Sequence, residues 1–155
     1  MWQAQIFTLY PEFFPGPLSR GLYGKALEKK IWNLKVVNIR DAAEDKHKTV
    51  DDTPFGGGAG MLLKADILAR SIDKNLVEKS RIFYLSPKGK KFDQKLAKEL
   101  SKEKSINLIC GHFEGVDERL LSTRNIEEIS IGDFILSGGE SAAFVIIDSI
   151  LRLLP

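Results

Sequence analysis

One cysteine, Cys110, occurs in 155 residues, so no internal disulfide can form and a reducing compartment fits. Charge of one sign is scarce too. Lys and Arg number 23 against 21 Asp and Glu, a formal net charge of +2. So small an excess does not announce a nucleic-acid binder, and any RNA affinity must come from local basic clusters. No apolar run approaches the roughly 20 residues that cross a bilayer. The start, Met1-Trp-Gln-Ala-Gln, lacks the charged and apolar regions of a secretion signal, so a cytoplasmic location is expected. There is no G-x-G-x-x-G fingerprint, and no Gly-Lys-Ser/Thr closes a phosphate loop. A nicotinamide oxidoreductase and a P-loop nucleotidase are therefore disfavoured. His47 has no second His or Cys at ligand spacing and reads as loop, so no metal site is expected from spacing. No internal repeat, low-complexity tract or second domain is evident.

What remains is an ordinary globular composition, 43% hydrophobic and 28% charged, in a chain long enough for one domain with a real core. Strand and helix patterns alternate. Residues 2–9 set Gln3 and Gln5 against Ala4 and Ile6, as in a half-buried strand. Pro17 opens a helix expected to reach Lys30, and 33–40 reads as a second strand. The polar, glycine-rich stretch from Asp41 to Gly60 is expected to be a functional loop, since structureless loops of that length are uncommon. A helix at about 64–78 is followed by strand 81–85, a lysine-rich helix at about 90–103 and strand 106–110. A short helix after Gly115, strand 126–131 and a closing helix from about 140 complete the pattern. The expected class is α/β with a mainly parallel sheet flanked by helices.

In such a sheet, ligands bind beyond the carboxyl ends of the strands. Three loops fall there: Leu85-Ser-Pro-Lys-Gly89, Cys110-Gly-His-Phe-Glu-Gly115 and Ser130-Ile-Gly-Asp-Phe-Ile-Leu-Ser-Gly-Gly-Glu140. In the last, Ile131, Phe134, Ile135 and Leu136 can wall a flat apolar ligand. Gly132, Gly138 and Gly139 let main-chain groups approach it without a Cβ in the way. That suits an adenine ring held by main-chain hydrogen bonds. A strand, a Gly-Gly turn and a core helix would look the same.

These three loops, with Thr49-Val-Asp-Asp-Thr-Pro-Phe-Gly-Gly-Gly-Ala-Gly-Met61, resemble the motifs of the bacterial tRNA (guanine-N1)-methyltransferase family, TrmD. The likeness runs from Met1 to Pro155 in order. It implies a SPOUT-type domain over 1–155 with a C-terminal trefoil knot, working as a homodimer on tRNA. The cofactor would be S-adenosylmethionine and the product 1-methylguanosine at tRNA position 37. A Mg²⁺ requirement is compatible with it. Carried over by motif, the cofactor residues are Tyr84, Leu85, Ser86, Pro87, Gly111, Glu114, Gly115, Ile131, Gly132, Asp133, Phe134, Ile135, Leu136, Gly138 and Gly139. Asp51, Gly57 and Gly58 would border the target guanosine. Phe134 stands where the family usually has tyrosine, His112 where arginine is common, and Ser141-Ala142 where a leucine-proline pair is usual.

The chemistry sets its own demands. Methyl transfer from a sulfonium is an in-line displacement and needs alignment of the methyl with the attacking nitrogen. Guanine N1 carries a proton, so a base must remove it while a cation near O6 stabilises the developing charge. By resemblance the cation is Arg152; alternatively Arg152 pairs on the surface with Asp148, four residues earlier. The family's base is an aspartate in a segment leading to a C-terminal tRNA-binding domain, beyond Pro155. The chain alone is therefore expected to bind cofactor and to methylate weakly or not at all. Two further readings stay open: a different knotted RNA methyltransferase, and a cofactor-binding dimerisation module. Cys110 and His112 can be read as nucleophile and base, but no third orienting group accompanies them and packing is the commoner role. Asp51-Asp52 and the glycines after it also fit a loop turn and a hinge. Lys88, Lys90, Lys91, Arg40, Lys46 and Lys48 are the candidate phosphate contacts.

Overall fold

In a computed structural model of the chain, residues 1–44, 51–52, 62–76, 79–112 and 115–155 are described. Five strands form one all-parallel sheet in the order β2-β1-β6-β5-β7. They are β1 (Trp2–Thr8), β2 (Trp32–Asn38), β5 (Arg81–Lys91), β6 (Ser105–Cys110) and β7 (Ile126–Ser130). A separate short antiparallel pair joins β3 (Asp51–Asp52) to β4 (Leu62–Leu63). The helices are α1 (Gly21–Glu28), α2 (Ala65–Asn75), α3 (Gln94–Ser101), α4 (Glu118–Thr123) and α5 (Glu140–Leu151).

Both faces of the sheet are covered, as parallel strands require. On one face Ala4, Ile6, Phe83, Leu108 and Ile129 pack against Leu96, Ala97 and Leu100 of α3 and Ala143, Ile146, Ile147 and Ile150 of α5. On the other, Phe7, Ile82, Tyr84, Ile109 and Ile126 meet Ile67, Leu68 and Ile72 of α2 and Leu120 and Leu121 of α4. The α5 positions fill the core, leaving Val145 exposed. Because β1 is interior, Gln5 is buried and not at a solvent face as its alternation suggested. Its Nε2 donates to Asn107 Oδ1 at 2.8 Å and to the Asn75 carbonyl at 2.9 Å, which satisfies the donor half of the buried amide, while its Oε1 is shielded with no hydrogen-bond partner among the described residues.

Three boundaries depart from the sequence reading. The helix expected from Pro17 is split: a 3-10 turn spans Gly16–Ser19, Arg20 is extended, and α1 begins at Gly21 with φ +59°. The lysine-rich helix starts four residues late, because Lys90 and Lys91 still pair with β7 and Asp93 caps α3 by accepting from the Leu96 N–H at 2.9 Å. Strand β5 is correspondingly longer and contains a detour. Ile129 of β7 is opposite both Leu85 and Lys90, so residues 86–89 bulge out between them. Gly89 ends the bulge against the β7 main chain, where a Cβ would lie 2.5 Å from the Glu128 carbonyl carbon.

Candidate functional site

β5 sits between β6 and β7, so the carboxyl ends of these three strands are neighbours. The loops leaving them therefore meet, and they enclose a cavity of about 340 Å³. That volume lies at the small end of the range for small-molecule sites. The β5 detour contributes Ser86, Pro87 and Lys88 above Tyr84 and Leu85. The loop after β6 contributes Gly111, His112 and Gly115. The loop after β7 contributes Ile131, Gly132, Phe134, Ile135, Leu136, Gly138 and Gly139. Thirteen of the fifteen expected cofactor residues thus line one cavity. Asp133 is exposed and is not among the lining residues. Glu114 lies outside the described residues, as do Gly57, Gly58, Lys46, His47 and Lys48; of Asp51 only the strand backbone is described.

Main-chain contact holds the loops together. The Gly139 N–H donates to the Gly111 carbonyl at 2.9 Å. A Cβ on Gly139 would stand 2.8 Å from Cys110 Cα and 2.9 Å from Gly111 N, so only glycine permits this approach. Immediately after it, buried Glu140 opens α5. Its carboxylate accepts from Thr8 Oγ1 at 2.7 Å and pairs with His112 Nε2 at 2.6 Å. One side chain thereby ties β1, the loop after β6 and the start of α5. Ser130 shapes the third loop, its hydroxyl donating to the Gly132 carbonyl at 2.8 Å while accepting from the Gly132 N–H at 3.1 Å.

The walls are mixed. Leu85, Ile129, Ile131, Leu136 and Ala142 offer apolar contact, and the exposed Phe134 and Ile135 carry it to the mouth. Tyr84 is buried beside the cavity. Burial, and then the charge of Glu128, push its phenol up to about 12, so it stays neutral at physiological pH. Lys88 of the detour and Glu118 of α4 pair at 3.3 Å across the rim. Of the charged lining residues, Glu128 was missed by motif reasoning, while Lys88 was read as a phosphate contact and His112 as a base beside Cys110. For Glu128 the available signal was an acid at an inward-facing position of a short strand.

Cys110 is wholly buried, and burial, followed by Glu140, pushes its thiol well above its ordinary value. It is a core residue and not a nucleophile, and His112 is occupied by Glu140. No group of three or more metal-ligating side chains occurs among the described residues.

Arg152 is not among the residues lining this cavity. It caps the far end of α5 and borders a second hollow of about 350 Å³ with Gln94, Val145, Asp148, Ser149 and Leu153. Asp148 accepts a hydrogen bond of 2.5 Å from the Tyr23 hydroxyl. No Asp148–Arg152 ion pair within 4.0 Å occurs among the described residues, so the surface pair expected from their spacing is not formed.

Comparison with known proteins points the same way. Residues 2–155 match the family model described as tRNA (Guanine-1)-methyltransferase TrmD. A tRNA (guanine-N(1)-)-methyltransferase of Pelagibacter ubique is 84% identical over 155 residues, covering 100% of this chain and 68% of that protein. Proteins of the same name from Bartonella tribocorum and Wolbachia pipientis subsp. Culex pipiens are 56% and 53% identical, each covering 99% of this chain and 66% and 67% of their own lengths. The chain therefore spans about two thirds of the curated relatives it matches.

Proposed function

This chain belongs to the tRNA (guanine-N1)-methyltransferase family, and on that premise we propose that its cavity holds S-adenosylmethionine for methylation of guanine N1 at tRNA position 37. The observation that carries the proposal is the meeting of three loops around one cavity, fixed by the main-chain contact of Gly139 with Gly111. The residues present fit the cofactor. Glycine backbone and apolar side chains suit an adenine face, and polar groups are few and placed. The bound cofactor supplies an electrophilic methyl on a sulfonium. The chain's own residues orient it and exclude water: Leu85, Ile131 and Leu136 flank the base, and main-chain groups of 131–139 read its edge. Asp133 and Glu114 complete the carried-over set.

Arg152 is proposed to stabilise the charge that develops at guanine O6. Because it stands away from the cavity wall, this role needs a second copy of the chain to present its own Arg152 to the cavity, which is the use we assign to a homodimer. The C-terminal trefoil knot, a cytoplasmic location, a Mg²⁺ requirement and the contacts of Asp51, Gly57 and Gly58 with the target guanosine are part of the same proposal. No helix among the described residues is long and apolar enough to cross a membrane.

Calorimetry with S-adenosylmethionine, beside a methylation assay on unmodified tRNA, tests the reading. The 155-residue chain is expected to bind cofactor and to turn over weakly or not at all, the proton-accepting aspartate being assigned outside it. Absence of binding rejects the cavity as the cofactor site. Turnover matching a longer relative rejects the assignment of the base.

A further inference from the structure

β7 carries a charge that its surroundings do not answer. Glu128 is opposite Tyr84 in the pairing of β7 with β5, so both side chains project from the same face. On that face its neighbour two residues back, Ile126, is buried in the apolar cluster. An apolar side chain is the ordinary occupant of such a position. Glu128 instead lines the cavity, and its Oε2 is shielded with no hydrogen-bond partner.

The basic groups of the cavity and of the start of β5 are committed elsewhere. Arg81 pairs with Glu127 at 2.8 Å and with Glu99 at 3.5 Å, while Lys88 pairs with Glu118 at 3.3 Å. His112 is held by Glu140 at 2.6 Å. A half-buried carboxylate with one oxygen shielded and unpartnered is left for a ligand's cation to answer. The ligand of the previous section carries two cations, a sulfonium and an α-ammonium, and either would do so.

We propose that Glu128 is a binding residue of the cavity, its carboxylate taking a cationic group of the bound cofactor. This rests on the cavity being the cofactor site. It adds an unpaired carboxylate to a pocket whose other charged lining groups, Lys88, Glu118 and His112, are already paired, and lets the pocket prefer a cationic ligand over a neutral adenosine thioether.

The test is calorimetric titration of the unaltered chain and of Glu128→Gln with three ligands: S-adenosylmethionine, S-adenosylhomocysteine and methylthioadenosine, which lacks both cations. Glu128→Gln is expected to weaken S-adenosylmethionine roughly tenfold to hundredfold, the range for losing a charge-assisted contact, and to leave methylthioadenosine within about twofold. A loss shared by S-adenosylmethionine and S-adenosylhomocysteine assigns the ammonium; a loss confined to S-adenosylmethionine assigns the sulfonium. In the free protein the same variant should keep or raise Tm, since a half-buried carboxylate with an unpartnered oxygen has been removed. Unchanged S-adenosylmethionine affinity, or an equal loss for methylthioadenosine, overturns the role of Glu128 with the cavity assignment intact. Failure of the unaltered chain to bind any of the three overturns both.

Discussion

The two hollows of this domain are built on opposite principles. The cavity at the ends of β6, β5 and β7 is made by backbone: glycines at 111, 138 and 139 let loops touch, and most of its lining residues come from loops. The hollow at the far end of α5 is made by side chains on helices, with Arg152 as its cation and Asp148 turned towards Tyr23. The first is specified by where the chain can bend, the second by which charges a helix presents. Binding and activation of the acceptor base can therefore be separated by mutation, and the sharpest tests affect one region while sparing the other.

Gly139→Ala should have the largest effect. Its Cβ would force the loop after β6 away from the start of α5, with a stability loss of about 2–4 kcal/mol and cofactor binding reduced beyond detection by calorimetry. Retained affinity would mean that the loops do not need this contact. Arg152→Ala should do the reverse. In any preparation with measurable turnover, methylation is expected to fall by about 10²–10³, the usual cost of losing one charge-stabilising group, with cofactor affinity held within about twofold. A matching fall in affinity would place Arg152 at the cofactor and erase the contrast.

Two smaller tests sharpen the picture of the cavity wall. The Tyr84 phenol should titrate near about 12, above its ordinary 10.0, and that late step in the tyrosinate absorbance should vanish in Tyr84→Phe. The sign follows from linkage. A raised folded value favours the fold fully below pH 10.0, and that contribution fades as pH rises towards about 12. Asp117 is the smallest case. It caps α4, accepting from the Arg119 N–H at 2.9 Å, and the Arg119 side chain lowers its carboxyl from 3.8 to about 2. Its contribution is present above pH 3.8 and lost as pH falls towards about 2. The Tm gap between the unaltered chain and Asp117→Asn should close over that interval.

Much of this was legible in advance, for definite reasons. Alternation marked β1, and short apolar segments between turn signals marked β2, β6 and β7. The glycine-bearing loops marked the cavity, because a parallel sheet gathers its loops at the carboxyl ends of its strands. What failed was set by neighbours distant in sequence. Gln5 read as solvent-facing because nothing local says that β1 is interior and that Asn107 waits beside it. Lys90 and Lys91 read as helix because their pairing with β7 lies about forty residues away in sequence. Glu128 carried no motif; its cavity position and the shielded, unpartnered Oε2 set it apart. Arg152 was assigned a role without a location, since position along a helix does not say which hollow its end borders.

The detour in β5 leaves and rejoins the sheet at one and the same β7 residue, Ile129. Hydrogen-bonding on either side is thus indifferent to how many residues the excursion contains. Lengthening or trimming Ser86–Lys88 should remodel the ligand chamber's roof without shifting a single rung of the ladder below it. Evolution or a protein engineer could tune the chamber's contour there while the scaffold stays put.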